Sequence, residues 1–293
     1  ISSGTKNMAK GGGKGKPGGG DGGGEAPPPI DPGLHVLDAL GEEDTAIALS
    51  ISAIGSSETT GESFYLLDDG SNSLLRVETD GTVTVLASKS DIKAATGLKH
   101  VDLADRGVAV DDAGNIYFTD AYSDSVLMLP ADGGPLVVIA TAAEIAAITG
   151  YGTSADPRDL TIGSDGKLYI SDNQADAILS YDPASGGLDL TISKLELEAL
   201  TEVSSVDLNG GMVAGPDGML YVVSDDAPGA IITIDTTTGT ATTLVVGEPF
   251  QNLDVFMTLA PGGDLIVADD LNGDTIYRVD TTDGTVSVFL SKA

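Results

Sequence analysis

Residues 107–129, GVAVDDAGNIYFTDAYSDSVLML, and residues 159–182, DLTIGSDGKLYISDNQADAILSYD, are two copies of one pattern. In each, an apolar run meets an acidic turn ending in Gly, a second run rich in β-branched and aromatic residues ends at an Asp, and a polar turn leads into a third run. Runs of this length between Gly- and Asp-rich turns read as short antiparallel strands. The pattern extends outward in both directions. Tyr65, Tyr117, Tyr169 and Tyr221 recur at intervals of 52 residues in the frames SFYLLD, NIYFTD, KLYISD and MLYVVSD, and a fifth copy, DLIVADD, puts Ile266 in that place 45 residues later. Self-similarity at this period marks a repeat architecture built from one supersecondary unit.

Each unit reads as four strands. After the third comes a hairpin carrying TDG (79–81), ADGG (131–134), PASGG, TTTG (236–239) or TTDG (281–284), whose Gly supplies the positive φ a tight hairpin needs. A fourth strand follows. The segments SKSDIKAATG, TAAEIAAITG and SKLELEALTE come next, and Ser or Thr ahead of an acid and an apolar i, i+4 pair predicts a short capped helix crossing to the next unit. The fold class expected is all-β, a β-propeller of four-stranded antiparallel blades. Five blades fit, at about 46–98, 103–150, 156–202, 208–250 and 255–291 within a propeller domain spanning 34–293. HVLDAL (35–40) resembles a fourth strand without its blade, since Val36 precedes Val85 by 49 residues. A sixth blade built from the N-terminal region, or completed by another chain, is the alternative.

The two quoted copies resemble NHL-type repeats and, more loosely, the gluconolactonase-like propellers, over roughly residues 46–293. The resemblance implies the propeller fold, a fold shared by binding scaffolds, lyases and lactonases. For the gluconolactonase-like enzymes it implies a divalent cation held by a Glu, two Asn and an Asp from different blades. Asn209-Gly210 matches one Asn position and Asp254 could serve as the Asp, but Ala53 to Gly55 replace the Glu entry motif, and Arg106 and Arg158 would repel a cation.

Composition narrows the function classes. The 293 residues carry a formal net charge of −31 with no Cys, no Trp and two His, His35 and His100. Thiolate metal sites and disulfides are therefore excluded, and a multi-histidine site nearly so. Ordered carboxylates repel phosphate, which argues against nucleic-acid partners. No apolar run is long enough for a membrane helix. The charge is uneven: Lys6, Lys10, Lys14 and Lys16 fall in the first sixteen residues, within a Gly-rich then Pro-rich arm (1–33) of net +1, and the remainder carries −32. An arm of this composition reads as a linker or tether. It lacks the apolar core of a signal peptide.

Chemistry in a propeller sits where the innermost strands enter the central channel. Ten to twelve positions before the repeat tyrosine stand Asp105-Arg106-Gly107, Pro157-Arg158-Asp159 and Asn209-Gly210-Gly211, and the fifth copy places Asp254 there. Two of the four arginines thus share one rim slot in adjacent blades. They either hold an anionic ligand together with Asp105, Asp159, Asn209 and Asp254, or neutralise neighbouring rim carboxylates; the second reading carries the greater weight. The Asp after the second strand (Asp68, Asp120, Asp172, Asp269) recurs in every blade but one, which points to a turn-forming role rather than a metal. Asp270, Asn272 and Asp274 have the 1, 3, 5 oxygen spacing that suits Ca²⁺, although Thr275 and Thr281 stand where an EF-hand loop has Gly and Glu. The repeat tyrosines are expected to pack between blades. No Ser-His-Asp set, HExxH or P-loop is present, leaving an enzyme without a nameable nucleophile or base. The reading preferred is a secreted or surface-exposed, non-catalytic propeller scaffold whose partners are proteins, copies of itself included, docked head-to-tail through the arm. A small-molecule or anion binder using the Arg-lined channel mouth is the alternative, followed by a propeller hydrolase, lactonase or lyase.

Overall fold

A computed structural model describes residues 63–291 apart from 105, 202, 210, 226–228, 248, 251–254 and 270–274. The N-terminal arm with its four lysines, the 35–40 segment, Asp105, Asp254 and the Asp270–Asp274 turn lie outside the described residues.

The described chain forms five antiparallel sheets arranged as a five-bladed β-propeller. The first holds β1 (Ser63–Asp68), β2 (Ser73–Glu78) and β3 (Val83–Ala87). The second holds β4 (Val108–Val110), β5 (Ile116–Asp120), β6 (Ser125–Leu129) and β7 (Val137–Ala140), and the third β8 (Pro157–Ile162), β9 (Leu168–Asp172), β10 (Ala177–Asp182) and β11 (Gly187–Ile192). The fourth holds β12 (Met212–Ala214), β13 (Met219–Ser224), β14 (Ala230–Asp235) and β15 (Thr240–Val246), and the fifth β16 (Val255–Leu259), β17 (Leu265–Asp269), β18 (Thr275–Val279) and β19 (Val286–Ser291). Strands pair in chain order within each sheet. The innermost strands lie side by side, β4 against β8, β8 against β12 and β12 against β16.

The turns follow from the residues quoted above. In the turn between first and second strands, Gly114, Gly166 and Gly218 adopt φ of 87°, 78° and 87°, open to Gly without steric cost. The preceding Asp111, Asp165 or Asp217 accepts a backbone N–H from the same turn. Among the described residues three helices cross between blades: α1 (Lys89–Thr96), α2 (Ala142–Thr149) and α3 (Lys194–Thr201). Ser88 and Thr141 close full capping boxes with Asp91 and Glu144, Ser193 exchanges the same bonds with Glu196, and Gly97 and Gly150 end α1 and α2 in the left-handed region. Caps of this kind are worth about 1 kcal/mol each, enough to define a helix of eight residues.

The core is layered between blades rather than gathered at one centre. Leu67, Leu74 and Ala87 of the first blade and Ile92 of α1 pack on Val108, Phe118 and Leu127 of the second. The layer between second and third blades joins Tyr117, Val126, Ala140 and Ile145 to Leu168, Ile170 and Leu179. Tyr169 and Ile178 face Leu220 and Val222, and Tyr221, Val223 and Ile231 face Leu265 and Val267. The repeat tyrosines therefore sit between blades, as their periodicity predicts. Two of the hydroxyls reach the turn acids: Tyr117 Oη donates to Asp111 Oδ2 at 2.8 Å and Tyr169 Oη to Asp165 Oδ2 at 3.1 Å.

Candidate functional site

In the second and third blades the Asp that closes the second strand ties that strand's turn to the chain entering the same blade. Asp120 accepts the N–H of Asp102 at 2.8 Å and that of Ser123 at 3.2 Å, and Asp172 accepts the N–H of Asp156 at 2.5 Å. In the fourth blade Ser224 Oγ takes the N–H of Asp207 at 3.1 Å. In the first, Asp68 accepts the N–H of Ser71 at 3.0 Å. These carboxylates are committed to backbone, and among the described residues no group of three or more His, Asp or Glu side chains is arranged to hold a metal ion.

This lock presents Asp156 at the rim of the third blade, and Asp156 holds both rim arginines. Arg106 Nη1 donates to Asp156 Oδ1 at 2.6 Å and to the Pro157 carbonyl at 3.1 Å. Arg158 Nε reaches Asp156 Oδ2 at 3.1 Å, and Asn173 Nδ2 donates to the same oxygen at 3.1 Å. Burial pushes the Asp156 carboxyl up, but the Asn173 hydrogen bond and the charges of Arg106 and Arg158 outweigh it, so the group lies below the usual carboxylate range. The Arg106 side chain is only 8 % exposed and Arg158 30 %. Asp124 completes the cluster: burial, with the Asp156 charge adding to it, raises its proton affinity against the opposing pull of Arg106.

The other rim residues go elsewhere. Asp159 faces the joint between blades. Its Oδ1 accepts the N–H of Leu160 at 2.8 Å and its Oδ2 that of Met212, on the innermost strand of the next blade, at 2.7 Å. Thr161 Oγ1 does the same for Ala214 at 3.1 Å. On the other side, Gly107 sends its N–H to the Arg158 carbonyl at 2.7 Å. The residue as a whole keeps partial exposure. The carboxylate itself is enclosed by β8, β12 and the backbone at Gly107, and burial pushes its pKa up to about 6 against the pull of the two N–H bonds. Asn209 donates to Asp225 Oδ2 at 3.1 Å, while its own Oδ1 is buried without a hydrogen-bond partner among the described residues. The structure thus brings Arg106 and Arg158 together and turns Asp159 into the blade joint.

Sequence reasoning passed over Asp156, Asn173 and Asp124. Asp156 was legible in principle, because it stands in register with Asp102 and Asp207 just before an innermost strand. Also unmarked were the exposed aromatic residues on the adjoining loops. Tyr122, 51 % exposed, stands two residues after Asp120 with its ring tilted against that of His100 at 5.0 Å, and Tyr151, 52 % exposed, follows the left-handed Gly150.

No protein-family profile matches the chain, and no curated protein matches it by sequence. Solved structures do match in fold. The chain is similar to an inactive virginiamycin B lyase from Staphylococcus aureus with quinupristin (14 % identity, 85 % of this chain and 74 % of that one, TM-score 0.60). It is similar to a chain of the nidogen/laminin complex (18 %, 78 % and 75 %, 0.56) and to a candidate gluconolactonase (16 %, 84 % and 80 %, 0.55). Identities at this level show the shared propeller fold, in agreement with the NHL and gluconolactonase-like resemblance of the repeats. The activities of these neighbours differ, so the fold leaves function to the site.

Proposed function

We propose that the protein is a non-catalytic, secreted or surface-exposed propeller scaffold that binds proteins through its rim, and that copies of itself are among its partners, docked head-to-tail through the lysine-bearing arm. One observation carries the reading. The charged groups at the rim are committed to one another, Arg106 and Arg158 both to Asp156, while Tyr122 and Tyr151 stand half exposed on the chain segments that lead into Asp124 and Asp156. Paired charges flanked by exposed tyrosines are the composition of a protein-binding surface rather than of a small-molecule pocket. Fold neighbours support the class, since one of them is held in a protein complex. A carboxylate-rich surface stays hydrated and dispersed at high ionic strength, which suits an extracellular setting.

Self-association follows from charge: an arm of net +1 precedes a body of net −32. Changing Lys6, Lys10, Lys14 and Lys16 to Glu in the full chain should abolish assembly seen by light scattering at low salt. A monomer at every concentration and ionic strength for both proteins overturns the self-association. The anion-binding alternative rests on the partial exposure of Arg158, and an anion screen by thermal shift decides it.

A further inference from the structure

Between the second and third strands of the first three blades stand Asn72, Asp124 and Asp176, each in the left-handed region with φ of 52°, 48° and 48°. In the third blade the carboxylate at this place has two partners. Asp176 Oδ1 accepts the N–H of Leu208 at 3.0 Å, and its Oδ2 accepts from Lys194 Nζ at 2.7 Å. Lys194 is the first residue of α3. Its ammonium also donates to the Val206 carbonyl and lies 3.7 Å from Glu198 Oε1. A carboxylate and a backbone carbonyl thus hold one ammonium group where the chain crosses into the fourth blade.

The second blade keeps the carboxylate and lacks the lysine. Thr141 and Ser193 accept the N–H of Glu144 and Glu196 in the same cap, which sets Ala142 in the place of Lys194 and Ala146 in that of Glu198. The backbone at the two crossings follows one course. Asp156 and Asp207 give their N–H to Asp172 and Ser224, and their carbonyls accept the N–H of Asn173 and Asp225. Ala155 and Pro157 therefore take the places of Val206 and Leu208. Pro157 has no N–H to give. Asp124 thus lacks both partners of its counterpart, and among the described residues no hydrogen bond or ion pair reaches its carboxylate. Arg106 spends Nη1 on Asp156 and the Pro157 carbonyl. Burial, with the Asp156 charge adding to it, raises the proton affinity of Asp124, as a carboxylate without a donor requires. The first blade makes the opposite exchange: Lys89 opens α1, and the neutral Asn72 replaces the acid.

We propose that Asp124 and the Ala155 carbonyl form a binding site for a primary alkylammonium group, carried by a lysine side chain of a partner protein. The partner supplies in the second blade what Lys194 supplies from within the chain in the third. An ammonium has the N–H donors to serve carboxylate and carbonyl together, and a bond between two charged groups is the strong kind. Tyr122, in the same turn and 51 % exposed, places a ring against which the alkyl stem of the lysine can lie. The charge of Arg106 is offset by Asp156, and the net charge of −31 draws a cation toward the protein. The inference rests on the protein-binding reading for the carrier of the ammonium, and on the repeat comparison for the site.

Three probes test it by amide NMR of the isotope-labelled full chain at fixed ionic strength. n-Butylammonium tests the site, Nα-acetyl-lysine methylamide tests the carrier, and tetramethylammonium has the charge without an N–H. The first two should shift the Asp124 and Ala155 amides saturably, and tetramethylammonium should not. Asp124→Asn should weaken binding about tenfold or more, as loss of a charge-assisted bond requires. The turn accepts Asn, as Asn72 shows in the first blade. Ala142→Lys should weaken binding to the same degree, by supplying an internal ammonium as Lys194 does. No saturable shift with either amine, an equal response to tetramethylammonium, or unchanged binding in either variant overturns the proposal. Binding of butylammonium without the lysine derivative overturns the lysine as occupant and removes this support from the protein-binding reading. Failure of both amines overturns the site alone and leaves that reading to its own assembly test.

Discussion

Replacing Asp159 by Asn tests whether the innermost strands are joined by a carboxylate held between blades. In the folded protein its pKa is about 6, above the ordinary value of 3.8, because the enclosed carboxylate is costly to ionise. A raised folded pKa means the folded state binds the proton more tightly. The stabilisation is therefore fully present below 3.8 and is lost as pH rises through about 6. The whole swing is about 3 kcal/mol at most. The experiment belongs above the isoelectric point of about 4.1, and between pH 5 and pH 8 the accessible part is about 1.4 kcal/mol. At about 2–4 °C per kcal/mol for a chain of this size, that is on the order of 3–6 °C in Tm. Asn keeps one acceptor oxygen but turns an N–H pair toward either Leu160 or Met212, a pH-independent loss of about 1–3 kcal/mol. The melting temperature of wild type minus that of Asp159→Asn should thus be positive at pH 5 and shrink by about 3–6 °C on going to pH 8. Repulsion among the many surface carboxylates changes both proteins alike and cancels in the difference. A difference that stays constant from pH 5 to pH 8 refutes the reasoning.

The remaining expectations concern the rim, the blade joint and the acidic turn. Arg106→Ala with Arg158→Ala leaves the half-buried Asp156 without a cation and should cost on the order of 1–3 kcal/mol, read by urea denaturation; full stability together with loss of an anion-dependent thermal shift would instead assign the arginines to a ligand. Gly107→Ala puts a methyl group 2.6 Å from the Leu160 nitrogen and 2.7 Å from Asp159 Oδ1, so it should lower stability by about 1–3 kcal/mol, and an unchanged melting temperature contradicts the tight joint. Tyr117→Phe removes the bond to Asp111 from a buried ring and should cost about 1 kcal/mol in chemical denaturation without altering the far-UV spectrum. If the Asp270, Asn272 and Asp274 turn binds Ca²⁺, millimolar Ca²⁺ raises Tm and Asp274→Ala abolishes the rise; no shift leaves it a plain turn.

Much of the fold was legible because repeats announce themselves locally. The Asp-Gly turns, the capped helices after β3, β7 and β11, and the interblade tyrosines each depend on a few neighbouring residues, and a motif repeated every 52 residues shows which of them matter. The rim was legible only in part. That Arg106 and Arg158 share a slot could be read from spacing, but their common partner could not, because Arg106 and Asp156 are 50 residues apart and meet only across a blade boundary. Asp159 looked from the sequence like one more rim acid, and only the approach of Met212 from the next blade encloses it.

The amino-acid sequence by itself determined the blade: period, turn chemistry, caps and the alternation that sends one face of each sheet to each neighbour, all consequences of backbone preference and side-chain period acting over a few residues. The tertiary structure alone decided which charges pair and which carboxylate is enclosed. Those outcomes depend on distances between chain segments about one repeat apart, and electrostatics and burial are set by such distances rather than by residue type.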